Sequence, residues 1–209
     1  MCRPASFVVT KTKVFWSLND ESHETIIEEN NLKESDIRGN STFVRVEVVP
    51  SDNNYTLPFS KWKYCLDQDN VPKWYDEKKV EKRCRAKLKE WRKAKIVMPG
   101  EVRGGIDIGQ MVAIYGTVKC IYGGTVEYIY GGTVEYIYGG TVKCIYGGTV
   151  KCIYGGTVEY KTGTLPTKIT GNPIIVNYGS LTKEILHSSQ AVLIDRTKDP
   201  CVCYVGKDK

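Results

Sequence analysis

Residues 117 to 160 repeat one eight-residue unit. The array opens with Thr117-Val-Lys-Cys-Ile-Tyr-Gly-Gly124 and continues in octads that start at Thr125, Thr133, Thr141, Thr149 and Thr157. The template is TVxxIYGG, where xx is Lys-Cys or Glu-Tyr. Degenerate relatives flank it, Met111 to Gly116 before and Thr164 to Gly171 after. Self-similarity at a short fixed period is the mark of a solenoid, whose units bury their faces only against their neighbours. Thr, Val, Ile and Tyr favour strands. A Gly-Gly pair every eight residues would break a helix and suits a corner. A run of hairpins is the competing reading, because Gly-Gly also closes hairpins. A meander of identical octads has no evident way to end its sheet edges, so a β-solenoid is expected.

The order of the variable dipeptides sets the expected coil size. They run KC, EY, EY, KC, KC, EY. With one octad per coil, Glu127 would stack on Glu135 and Lys143 on Lys151. Like charges at the ~4.8 Å strand spacing repel. With two octads per coil, one column reads Lys119, Glu135, Lys151 and the other Glu127, Lys143, Glu159. Every neighbour is then opposite in charge. The next position also alternates small with large: Cys120, Tyr136, Cys152 in one column and Tyr128, Cys144, Tyr160 in the other. A coil of 16 residues is therefore expected, with Val118, Ile121 and their equivalents inward. The tyrosine before each Gly-Gly would form a ladder on each side, serving either corner packing or an exposed binding surface.

Residues 1–98 read as a separate α+β unit. Strands are expected at Ala5 to Val9, Lys13 to Trp16, Thr42 to Val49 and Trp62 to Leu66, and a short helix over Glu21 to Leu32. Pro72 opens a long helix over about 73–94, with Val80, Cys84, Leu88 and Trp91 as its apolar stripe. This stretch also accounts for the charge. Residues 73–95 hold eleven Lys or Arg and four Asp or Glu, against a net charge of +6 for all 209 residues. The rest of the chain therefore sums to about neutral, and the positive charge belongs to one helix. The solenoid is expected over 99–171. Residues 172–209, with strands at Pro173 to Tyr178, Ala191 to Asp195 and Cys201 to Val205, are expected to cap it.

Few residues point to catalysis. His23-Glu24 begins HETII, so the HExxH zinc motif is excluded. His187 is the only other histidine. No phosphate loop, dinucleotide fingerprint or CxxC pair occurs, and neither cofactor nor metal is expected. The catalytic candidates are Cys2, exposed as an N-terminal thiol on removal of Met1, with His23 or Glu24 assisting. The Met-Cys-Arg-Pro start resembles only the opening of N-terminal-cysteine amidotransferases and of abasic-site-processing proteins. Arg3 stands where those families carry Gly. The N-terminus lacks the apolar stretch of a secretory signal, and no apolar run approaches the ~18 residues of a membrane span. Reduced thiols, a cytoplasmic location and no membrane partner are the expectation.

The GGTV-type octads resemble the glycine- and threonine-rich β-solenoid repeats of bacterial surface passenger domains and of phage or prophage proteins. The resemblance covers about residues 111–171. Without an export signal, it implies the intracellular, phage-type member of that group, working in the host cytoplasm. The leading expectation is a non-enzymatic interaction protein that binds a host factor or self-associates through its solenoid. Its binding candidates are Tyr122, Tyr130, Tyr138, Tyr146 and Tyr154. Nucleic-acid binding through the basic helix is an alternative, with Lys82, Arg83, Arg85, Lys89 and Arg92 as contacts. An enzyme built on Cys2 is another. Ice binding is disfavoured by single threonine rows. DNA mimicry is disfavoured because the variable positions carry three lysines and three glutamates.

Overall fold

The structure is a computed structural model that describes residues 4–33, 41–164, 166, 168–188 and 190–207. It divides into two compact units, Met1–Ala94 and Lys95–Lys209.

The first unit is a four-stranded antiparallel sheet with two helices. Its strands are β1 (Ser6–Thr10), β2 (Val14–Phe15), β3 (Phe43–Pro50) and β4 (Trp62–Leu66), in the order β2-β1-β3-β4. Strand β3 shows the clearest alternation in the sequence and lies at the sheet centre, with Phe43, Val44, Val46 and Val48 buried. Helix α1 (His23–Glu29) is shorter than the expected Glu21 to Leu32. Asn31 ends it in the left-handed region at φ 51°, and the Leu32 N–H closes back on the Ile27 carbonyl. Asn is among the few side chains that tolerate this conformation. Helix α2 (Glu77–Lys95) begins later than its proline suggested, because residues 72–75 form a turn. The cap is Asp76, whose side chain accepts a 3.1 Å bond from the Lys79 N–H. These bonds from Lys79 hold the Asp76 carboxyl below its usual pKa. The apolar stripe is as the spacing predicts: Val80, Cys84, Leu88 and Trp91 are all buried. Trp91 packs edge-on to Trp62, with Tyr55 against both. Burying side chains of this size contributes about 1.5–3 kcal/mol each.

The second unit is a β-solenoid of 16-residue coils. One column stacks β6 (Val102–Ile106), β8 (Thr117–Ile121), β10 (Thr133–Ile137) and the C-terminal half of β11 (Thr141–Ile153). The other stacks β5 (Ile96–Val97), β7 (Gln110–Ile114), β9 (Thr125–Tyr130), the N-terminal half of β11, and β12 (Thr157–Thr164). All these pairs are parallel. Thr133 lies opposite both Thr117 and Thr149, so each octad stacks on the octad two places away. The Val and Ile of every octad from Val118 to Ile153 point inward and are at most 1% exposed. Strand β13 (Lys168–Ile169) continues the first column. Strands β14 (Ile174–Asn177) and β15 (Val192–Asp195) continue the second, and β16 (Val202–Val205) folds back antiparallel on β15 to end it. Between β14 and β15 lies a short 3-10 segment, Lys183–Ile185.

One expected position differs. Tyr160 does not stack on Cys144 as its column predicts; it is buried at 2% and pairs with Ile145 through a register shift. The cause lies one residue on. Lys161 occupies the isoleucine place of the last octad, and a lysine does not enter an apolar core. The strand bulges, Tyr160 takes the inward place, and its hydroxyl donates to the Gly163 carbonyl at 2.8 Å.

The Gly-Gly pair has two separate causes. A Cβ on Gly139 would sit 2.5 Å from the Tyr122 carbonyl oxygen of the coil below, so close stacking admits no side chain there. Gly131 has open space around it but φ +70°, which L side chains rarely adopt.

Candidate functional site

The tyrosine of each octad follows the inward isoleucine and so points outward, beside the corner. Stacking of coils lines these tyrosines up. Tyr122, Tyr138 and Tyr154 form one ladder, with centroids 5.5 and 5.2 Å apart and ring planes within 10°. Tyr115, Tyr130 and Tyr146 form the other, at 5.6 and 5.9 Å. The spacing follows from the coil rise, a strand separation of about 4.8 Å, with rings offset as stacked aromatics prefer. The Glu-Tyr octads add a second ring to each ladder. Tyr128 stacks on Tyr130 at 5.1 Å, and Tyr136 lies between Tyr138 and Tyr154 at 6.0 and 6.3 Å. Each of these extra rings has a small neighbour in its own column: Tyr136 is in register with Cys120 and Cys152, and Tyr128 with Ala113.

The ladders are not core. Tyr122, Tyr138 and Tyr146 are 54%, 47% and 46% exposed. Tyr130 and Tyr154 are half-buried. Burial pushes the Tyr130 phenol up to about 12 and raises those of Tyr128 and Tyr154. The Tyr122 phenol is raised chiefly by a hydrogen bond with Cys120. The raised values keep the hydroxyls of Tyr122, Tyr128, Tyr130 and Tyr154 neutral at physiological pH.

The charged columns beside them are paired. Lys151 Nζ lies 2.8 Å from Glu135, and Lys143 Nζ 2.8 Å from Glu127. Gln110 also donates to Glu127 at 2.7 Å. Opposite charges therefore meet across the stack.

Comparison with protein-family models, with curated proteins and with solved structures finds no match. The site is thus described by its own chemistry.

The arginines of α2 are committed within their own unit. Arg83 Nη1 donates to the Thr10 and Lys11 carbonyls of the β1–β2 turn. Arg85 donates to the Phe59 and Trp62 carbonyls at 2.7 and 2.8 Å and pairs with Glu81. Arg92 lies 4.1 Å over the Phe59 ring. Arginine suits such anchoring, because its planar fork serves several acceptors at once. Lys82 and Lys89 are exposed. The residues proposed as one basic surface thus separate into internal clamps and free lysines.

The catalytic candidates do not form a site among the described residues. Cys2 lies outside them. His23 is buried, with Nδ1 3.1 Å from Asp67 and Nε2 3.2 Å from the Val46 carbonyl, so both ring nitrogens face protein oxygens. Glu24 is exposed; the Ser22 hydroxyl donates to it at 2.8 Å and is the main cause of its lowered pKa. The described residues contain no group of three or more His, Cys, Asp or Glu able to hold a metal ion. Cys84 is buried and its thiol is pushed up to about 12 by burial. Among the described residues, no helix is long and apolar enough to cross a membrane.

Sequence reasoning did not single out Glu21. It is buried, accepting from the Ser6 N–H at 3.0 Å and from the Trp91 indole at 3.1 Å. Those partners lie 15 and 70 residues away, and no local pattern announces them.

Proposed function

We propose that the protein is a non-enzymatic binding protein, and that its solenoid is a rigid support for the tyrosine ladders, which dock a protein partner. The observation that carries this reading is the exposure of Tyr122, Tyr138 and Tyr146 in regular stacks while Val and Ile fill the interior of the octads from Val118 to Ile153. Tyrosine offers a large contact area with few rotatable bonds, and so loses little entropy on docking. Stacking on its neighbours restrains each ring before any partner arrives, which reduces that cost further. Paired Lys and Glu columns flanking the rings would form a polar rim. Within the resemblance to phage-type short-repeat solenoids, the partner is a host protein met in the cytoplasm; a second copy of the chain is the self-associating form of the same proposal.

The test is a triple variant, Tyr122→Ser, Tyr138→Ser and Tyr154→Ser, beside the wild type. Circular dichroism should show the strand content unchanged. Sedimentation and affinity capture from host extract should then show an association present in the wild type and absent in the variant. Equal association by both proteins would overturn the ladder as the docking face. Nucleic-acid binding is supported less well, since three of its five proposed contacts are engaged by the fold.

A further inference from the structure

A groove of about 540 Å³ runs along the first unit between strand β2 and helix α2. Val14 and Phe15 line one side and Ala86 the other; Lys13, Arg83 and Lys87 stand around it, with Glu90 at the helix side. Three features of this groove point the same way.

The first is a free strand edge. β2 is the outermost strand of its sheet. The Thr10 N–H bonds the Lys13 carbonyl, which makes Thr10 and Lys13 a hydrogen-bonded pair. Val9 and Val14 are the next pair along. Antiparallel pairs alternate, so Val14 occupies a non-hydrogen-bonded place and turns its N–H and C=O away from β1. Those two groups are available to a further strand.

The second is an uncommitted guanidinium nitrogen. Arg83 Nη1 is fixed by two carbonyls, while Nη2 is buried with no hydrogen-bond partner. A buried donor without a partner is costly, and a carboxylate is the acceptor that fits a guanidinium best. The third is charge. Lys13, Arg83 and Lys87 outnumber Glu90, and Lys87 already pairs with Glu90 at 2.7 Å. The groove is net positive over an apolar lining.

We propose that this groove takes an extended acidic peptide segment of a partner protein. The segment adds to β2 as a fifth strand through the Val14 main chain. An Asp or Glu of the segment sits beside Lys13 and Arg83 at the groove wall and reaches the enclosed Arg83 Nη2 on a shift of that side chain, while its apolar side chains rest against Val14 and Ala86. This site is separate from the tyrosine ladders and does not depend on them.

The test selects ten-residue peptides from a random displayed library on the full chain. The enriched peptides should share one Asp or Glu among β-branched residues. Changing that acid to its amide should weaken binding about tenfold, as loss of a charge-assisted bond does. Ala86 is exposed, so Ala86→Trp fills the groove without entering the core. Binding should be lost in Ala86→Trp while circular dichroism and melting stay as in the wild type. Arg83→Lys should weaken binding, and the amide signals of Val14 and Phe15 should shift on titration. No enrichment, enrichment without an acidic position, or binding that survives Ala86→Trp would each overturn the proposal.

Discussion

Lys151 Nζ lies 2.8 Å from Glu135 Oε1, and the two residues are sixteen apart in the chain. Lys143 and Glu127 repeat the relation with the same separation and distance. An ion pair that recurs at a fixed interval is a direct measure of the coil. The dipeptide order KC, EY, EY, KC, KC, EY satisfies both columns at this interval and would place like charges together at half of it. Charge here contributes chiefly to the choice of register, since Val and Ile of any octad would fill the core equally well.

The pair should leave a signature in the pH dependence of stability. The Lys151 hydrogen bond lowers the Glu135 pKa from 4.5, and the same bond raises that of Lys151 from 10.5. Glu135 therefore contributes stability that is present above about pH 4.5 and is lost as pH falls through its folded value. Lys151 contributes stability that is present below about pH 10.5 and is lost as pH rises through its folded value. The difference in Tm between wild type and Lys151→Met should be flat between these limits and shrink outside them. It should also shrink at high salt, because both groups are at the surface. A difference that persists at pH 2 would place its origin elsewhere.

The coil length can be checked by covalent capture. Tyr136 is in register with Cys120 on one side and Cys152 on the other. Neighbouring in-register strands bring Cα atoms to about 5 Å, within disulfide range. Oxidised Tyr136→Cys should link residue 136 to 120 or to 152, as read by mass mapping of the digest. Cys120 and Cys152 of the wild type are two coils apart, at about 9.6 Å, and should not link. A coil of one octad would instead stack residue 136 on Cys144 and link those two.

The solenoid was legible because its information is local and repeated. Each octad states the strand, the corner and the inward residues, and the variable positions state the stacking partner. Lys161 carried the one departure in plain view: a charged residue at an isoleucine place signals that the strand must shift, and Tyr160 moves inward as a result. The first unit was legible in its elements, from β3 to the buried stripe of α2, but not in its polar contacts. Glu21 reaches Trp91 and Arg83 reaches the Thr10 carbonyl across about 70 residues. Such pairings depend on how elements pack, and no periodicity encodes them. For the same reason the basic helix looked uniform in sequence, while packing separates Arg83, Arg85 and Arg92 from the exposed Lys82 and Lys89.

The two causes of the Gly-Gly corner are separable by alanine substitution. Gly104→Ala meets nothing within 4 Å and needs no positive φ, so it should change stability by less than about 0.5 kcal/mol. Gly131→Ala also has space but must hold φ +70°, at a cost of about 1–2 kcal/mol. Gly139→Ala drives its Cβ against the Tyr122 carbonyl at 2.5 Å and should cost about 2–3 kcal/mol, because backbone must move. Denaturant midpoints of the three variants should fall in that order. A Gly139→Ala protein as stable as the wild type would mean that the coils are not stacked this closely.

The contrast in α2 between the arginine clamps and the exposed Lys82 and Lys89 gives the last prediction. Arg85 serves two backbone carbonyls, and Arg85→Gln leaves the Phe59 and Trp62 oxygens without their donor. Hydrogen bonds from a charged donor contribute about 1.5–3 kcal/mol, and a loss of that order should appear in the unfolding of the first unit. Reversal of the exposed pair, Lys82→Glu with Lys89→Glu, lowers the net charge of the helix surface by about four units and should leave the unfolding midpoint within experimental scatter. The two variants also separate structure from recognition. If α2 binds nucleic acid, the lysine reversal abolishes a salt-sensitive gel shift that stable wild-type protein shows. If α2 serves only its own fold, Arg85→Gln alone has a phenotype, and it is a loss of stability.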